Sequence, residues 1–217
     1  MARELRPLVQ DWKLERSTGG VTLYSSEAAV AAFAGIGANR ATLATAAALE
    51  LGPISLLISA GWAGGLHAGM AGGSVHRVRK VIDAGTGEAY ESGGTTGATL
   101  LTAKAVVSLD GKRRLREQYL GDLVDMEAAT VARLGVSRKL PFMAIKAVSD
   151  EFDFDLPGME RFVTGDGKFR EAAFGMYLAV RPQLWKAAGQ MGRTSALAAD
   201  ALCRELESAI ATCGVSG

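Results

Sequence analysis

The segment Ile54 to Ala60, ISLLISA, constrains the fold most. It has the length of one strand and is apolar apart from its serines, which suits a strand covered on both faces. It breaks at once into Gly61-Trp62-Ala63-Gly64-Gly65. A strand buried on both sides needs layers above and below it, and the flanking sequence offers them. Val21 to Ser25, Ala29 to Gly35, Val75 to Ile82, Ala105 to Ser108 and Pro141 to Ser149 read as further strands. Ala38 to Leu51, closed before Pro53, reads as a helix, as do Gly111 to Tyr119 and Asp125 to Leu134, the last closed by Gly135. Met1 to Leu14 reads as an amphipathic helical start. Lys168 to Thr212 reads as mostly helix, interrupted at Pro182 and around Gly189 to Gly192. Strands that alternate with helices predict an α/β layered fold with helices on both faces of the sheet. In such folds ligands sit beyond the strand ends, so the residues just after apolar strands are the ones to read.

Composition narrows the field. The chain has 217 residues, which predicts one domain spanning 1–217. Lys and Arg number 24 against 23 Asp and Glu, so no basic excess points to nucleic acid. No apolar run reaches the roughly 18 residues of a membrane span. Met1 to Gln10 carries no apolar segment of the secretory kind. Cys203 and Cys213 are too few for a disulfide framework, and with 2 His in the chain no metal site is expected. These features lead to the expectation of a cytoplasmic protein. The 27 glycines are an excess over the usual 7% or so, and they call for local explanations.

Four short constellations follow strands or open helices. Gly35-Ile36-Gly37 resembles the start of a dinucleotide fingerprint, but position 40 is Arg40 where a third glycine is needed; a tight turn for close packing accounts for it equally. Gly61 to Leu66 lets backbone approach a ligand, or simply turns sharply. Val124-Asp125-Met126-Glu127 opens a helix, where acidic residues suit the dipole and where a carboxylate can also accept from a polyol beside an apolar Met. Lys146-Ala147-Val148-Ser149-Asp150 ends an apolar strand in an acid, either a cap or a group facing a ligand.

Taken in order, AGIGANRATLATAAALE (34–50), LISAGWAGGLHAG (57–69), LVDMEAATVA (123–132) and PFMAIKAVSDEFD (141–153) resemble the nucleoside phosphorylase/nucleosidase superfamily. The resemblance covers about Met1 to Asp153. It is nearest to the branch of 5′-methylthioadenosine/S-adenosylhomocysteine nucleosidases, while Arg181-Pro182-Gln183-Leu184-Trp185 and the final helix are similar to the hopanoid-associated phosphorylase group. The resemblance implies a three-layer αβα fold with a central mixed sheet. It implies cleavage of the N-glycosidic bond of a purine nucleoside, with a 5′-substituted adenosine as the expected substrate. Hydrolysis is the first expectation and phosphorolysis, with phosphate as co-substrate and no other cofactor, the alternative. A nucleoside-binding protein without turnover is a further one. A homo-oligomer, dimer or hexamer, is implied as well.

The roles implied by that resemblance fall on particular residues. Asp150 protonates or hydrogen-bonds the purine N7, and Glu4 activates water. Glu127 binds the ribose hydroxyls and Met126 packs on the nucleoside. Gly64, Trp62 and Lys146 complete the expected binding set. Asp150 as a general acid calls for desolvation to raise its pKa, whereas Glu127 must stay ionised; two environments are expected to divide these tasks. Several positions depart from the family pattern. Trp62 stands where a small residue is usual, and fills the water or phosphate site or stacks on a ligand. Lys146 stands where Arg is common, which keeps the charge and loses the fork. Arg3, Arg6 and Arg40 are the phosphate-binding candidates. Thr102 to Ser108 lacks the family's purine-loop wording. The strand that precedes the M-x-x-E segment in the family is missing, so its neighbours are expected to show open ladder groups, with Glu4 less firmly held.

Overall fold

The computed structural model describes residues 4–214. After a short helix α1 (Arg6–Val9), strands β1 (Lys13–Thr18), β2 (Val21–Ser25) and β3 (Val30–Phe33) form an antiparallel three-stranded sheet. Helix α2 (Ala38–Leu49) leads to β4 (Leu57–Gly65), followed by β5 (Val75–Asp83), β6 (Ala89–Glu91), β7 (Ala98–Thr102), helix α3 (Leu109–Tyr119), β8 (Leu123–Asp125), helix α4 (Ala128–Arg138) and β9 (Phe142–Asp150). Helices α5 (Glu171–Ala179) and α6 (Trp185–Gly214) complete the described chain. The second sheet is mixed, in the order β6-β5-β7-β8-β4-β9, and β5 also pairs with β9, so it curls back on itself.

Packing places helices on both faces, as the alternation predicts. Ala128, Ala129 and Ala132 of α4 lie against Leu57, Val78, Leu123, Ala144 and Val148 on one side. Ala198, Leu202 and Leu206 of α6 lie against Ile145 and Ala147 on the other. Small residues on the helix faces let the layers approach closely, which is where much of the alanine goes.

The missing-strand expectation has a visible counterpart. Among the described residues, β3 pairs only with β2, and Leu57–Ala63 of β4 pair only with β9. Both open edges line one cavity of about 350 Å³, between the two sheets.

Other expectations are corrected. Ala105 to Ser108 is a loop, and the strand lies earlier, at Ala98–Thr102, where every residue is buried. Asp125 belongs to β8, so α4 begins at Ala128; it runs past Gly135 and closes at Lys139, whose φ is 56°. The N-terminal helix is only Arg6–Val9, because Lys13–Thr18 joins a hairpin through Gly19 and Gly20. α6 continues through Gly189 and Gly192 without a break. Position 62, expected in a loop, is inside β4, because pairing with β9 carries the strand through its glycines: Gly61 faces Lys146 and Trp62 faces Ala147.

Candidate active site

β4 and β9 run parallel, with a bulge between Ala63 and Gly64 that brings Gly64 opposite Asp150. Gly64 also pairs with Val124 of β8, so three strands converge at one glycine. Their ends open on a cavity of about 1140 Å³ lined by Glu4, Trp62, Gly64, Met126, Glu127 and Asp150, among others. Six of the seven expected site residues are thus brought to one place.

Asp150 is held by two donors. Ser149 Oγ donates to its Oδ1 at 2.7 Å, and Lys112 Nζ donates to its Oδ2 at 2.5 Å. Lys112 also donates to the Glu151 carbonyl at 2.7 Å. A Cβ on residue 64 would lie 2.9 Å from Asp150 Oδ2 and 3.3 Å from Lys112 Cε, so only glycine leaves room for the pair. The Asp150 side chain retains 28% of its exposure.

Glu127 is in the opposite situation. Gly37 N–H, at the start of α2, donates to its Oε1 at 2.7 Å, and Met126 N–H donates to Oε2 at 3.3 Å. Burial pushes its carboxyl above the usual range and the neighbouring Asp125 adds to this, against the opposing pull of Lys146 and the Gly37 amide. The expected division of environments is therefore reversed: burial acts on Glu127, while Asp150 has a cation beside it. The physical reason is that Asp150 sits at an open strand end next to α3, whereas Glu127 is tucked under the Gly35–Gly37 turn.

Lys146 also differs from its expected role. It is enclosed beneath the site, with Nζ 2.9 Å from Asp125 Oδ2 and 3.1 Å from Ser59 Oγ. Burial alone would lower its pKa; the charges of Asp125 and Glu127, the hydrogen bond to Asp125 and the charge of Glu4 outweigh it, and the net direction is up. Asp125 is held further by Thr102 Oγ1 at 2.7 Å and by the Ala128 N–H at 3.0 Å, which anchors the start of α4. Lys146 thus acts on the cavity through its charge, since Asp125 occupies its ammonium.

Glu4 reaches the same region from the other end of the chain. A Cβ on Gly61 would meet its Oε2 at 2.9 Å. Trp62 borders both cavities, and its Nε1–H is buried without an acceptor among the described residues. Arg6 is exposed, and Arg40 is engaged by the carbonyl and carboxylate of Asp166; Arg3 lies outside the described residues. Gly37 spends its amide on Glu127, which gives the Gly-Ile-Gly turn a use other than a dinucleotide.

Sequence reasoning passed over Lys112 and Asp125. A signal for Lys112 existed: it takes a place in the i, i+3 apolar series of α3, between Leu109 and Leu115. Asp125 stood in a quoted motif but was read as a helix-start acid.

Comparison with known proteins agrees with this architecture. A family model described as the phosphorylase superfamily matches residues 1–106 and 95–176. The 5′-methylthioadenosine/S-adenosylhomocysteine nucleosidase from Helicobacter pylori superposes with a TM-score of 0.66 at 14% identity, over 96% of this chain and 95% of that one. The corresponding enzyme from Neisseria meningitidis gives 0.63 at 21% identity, over 94% of both chains. Futalosine hydrolase from Helicobacter pylori gives 0.65 at 14% identity, over 96% and 94%. No curated protein matches the chain in sequence.

Proposed function

The chain belongs to the phosphorylase superfamily, as an enzyme of the nucleosidase and nucleoside phosphorylase kind, and from that premise we propose that it hydrolyses the N-ribosidic bond of a purine nucleoside, a 5′-substituted adenosine. The observation that carries this reading is the charge of the cavity. Six acidic residues line it besides the enclosed Asp125, namely Glu4, Glu127, Asp150, Asp155, Glu160 and Glu171, against the cations Lys112 and Arg161. Such a lining favours a cationic, oxocarbenium-like ribosyl group and disfavours an incoming phosphate dianion. Water is the nucleophile that suits it.

In this reading Asp150 delivers a proton to N7 of the base, so that the purine leaves as a neutral molecule. Glu127 accepts from the ribose hydroxyls, with Met126 against the sugar. Glu4 takes a proton from water. Phe169, Phe174 and Met191 add apolar lining suited to an uncharged 5′ substituent.

The test is base release from 5′-methylthioadenosine and from adenosine, followed by chromatography with and without phosphate. Equal rates of adenine release in both buffers are expected. Release that depends on phosphate assigns phosphorolysis instead. Purine binding without release from any nucleoside removes catalysis from the reading.

A further inference from the structure

Helix α3 is strongly charged, its other residues are exposed or half-buried, and Lys112 is its one buried residue. The side chain keeps 5% of its exposure and ends between Asp150 Oδ2 and the Glu151 carbonyl. Ser108 fixes the start of this helix, its Oγ accepting from the Gly111 N–H, so the lysine is presented from an anchored first turn. Enclosing an ammonium costs several kcal/mol unless a partner offsets it. Here the partner is the residue to which the reaction assigns proton delivery.

We propose that Lys112 is the proton reservoir of Asp150. The proposal deepens the reading above and rests on Asp150 serving the N7 of a leaving purine. Lys112 touches Asp150 rather than the nucleoside, so it is a positioning residue. The groups that face Asp150 are Lys112 from α3, Ser149 beside it on β9, and the backbone of Gly64 on β4. Glu4, Asp125, Glu127, Asp155, Glu160, Glu171 and Arg161 border the same cavity. In that acid-rich space Lys112 is the cation in contact with Asp150.

The step balances as follows. As the C1′–N9 bond breaks, its electron pair moves into the purine. Lys112 passes its proton to the Asp150 carboxylate, and Asp150 hands one on to N7. Asp150 is restored and Lys112 is left as a neutral amine. Water adds to C1′ and gives up a proton to Glu4, which returns it to solvent; Lys112 regains one from solvent after the base departs. The pair therefore holds one transferable proton across the neutral range, where a carboxyl alone has lost its own.

The experiment compares kcat/KM against pH for the wild type, Lys112→Met and Lys112→Arg, each checked for an unchanged thermal midpoint. The wild type is expected to be level from about pH 6 to about pH 8. Lys112→Met should approach it in acid and fall about tenfold per pH unit above the Asp150 midpoint, leaving a loss of at least about tenfold at neutral pH. Lys112→Arg keeps a cation there but releases no proton, so it should stay slow throughout. A loss by one constant factor at every pH, or no loss in Lys112→Met, overturns the proposal. A second measurement needs no turnover: the carboxyl carbon-13 resonance of Asp150, identified with Asp150→Asn. Its titration midpoint should rise by about 1–3 units in Lys112→Met. An unchanged midpoint overturns the proposal. A raised midpoint in a protein that releases no base from any nucleoside overturns the reading of the reaction instead.

Discussion

Two lysine–aspartate pairs lie close together in this protein, and they behave as opposites. Lys146 and Asp125 are 2.9 Å apart with side chains 2% and 0% exposed. Lys112 and Asp150 are 2.5 Å apart, and the aspartate is 28% exposed on a cavity. The first pair is held from both sides, Lys146 by Ser59 and Asp125 by Thr102 and the Ala128 amide. In the second, the aspartate faces open space and can exchange a partner. The same two functional groups make a closed structural joint in one place and a working pair in the other. Solvent access separates them, because it decides whether a proton can come and go.

Breaking the closed joint should have the largest effect. Lys146→Met leaves Asp125 charged and enclosed, and is expected to cost about 3–5 kcal/mol in urea unfolding. Adding Asp125→Asn, which keeps the Thr102 contact while removing the charge, should recover part of that loss; no recovery would mean that the charge is not the cause. Asp150→Asn takes the charge from beside the enclosed Lys112 ammonium, so it should lower stability, but by less than Lys146→Met because Asp150 is open to the cavity, and it should lower kcat by about 10²–10⁴-fold. Equal stability losses at Asp125 and Asp150 would erase the contrast between the pairs. Gly64→Ala should push Asp150 and Lys112 apart and lower kcat by about tenfold, roughly 1.4 kcal/mol in activation free energy; unchanged kinetics would show that the pair can shift freely.

Titration sharpens the comparison further. The Lys146 pKa is raised above 10.5, so its pair contributes fully below that value and the contribution is lost as pH rises through the higher folded value. Alkaline unfolding curves should therefore steepen above about pH 10.5 in the wild type and not in the Lys146→Met, Asp125→Asn double variant. The smallest effect is expected at Glu127. Its pKa is raised above 4.5 by burial, so ionisation in the folded state is unfavourable and stability falls as pH rises from that value. Glu127→Gln should show less of this decline in thermal melts between about pH 4 and about pH 7; a parallel decline would place the cause elsewhere.

Much of the architecture was legible because it rests on local pattern. The strands at Val21–Ser25, Val75–Asp83 and Phe142–Asp150 carry β-branched or apolar runs bounded by turn residues, and α2 lies between Gly37 and Pro53. β8 was not legible, since Leu123–Asp125 is too short to show a period and is defined by β4 and β7 on either side. The glycine-rich stretch after Ser59 reads as a turn by composition, yet ladder bonds to β9 hold it extended. Tertiary pairing outweighs the weak preference of those residues.

The order of residue types along the chain determined the family and singled out Glu4, Glu127 and Asp150 among the acidic residues that border the cavity, because motifs such as Met126-Glu127 and Ser149-Asp150 need only neighbours in sequence. Only the tertiary structure decided which carboxylate meets which lysine. Lys112 and Asp150 are separated by 38 positions, and Lys146 and Asp125 by 21. Charge pairing depends on distance and on exclusion of water, and both arise from where α3 and β8 lie relative to β9, not from their order in the chain.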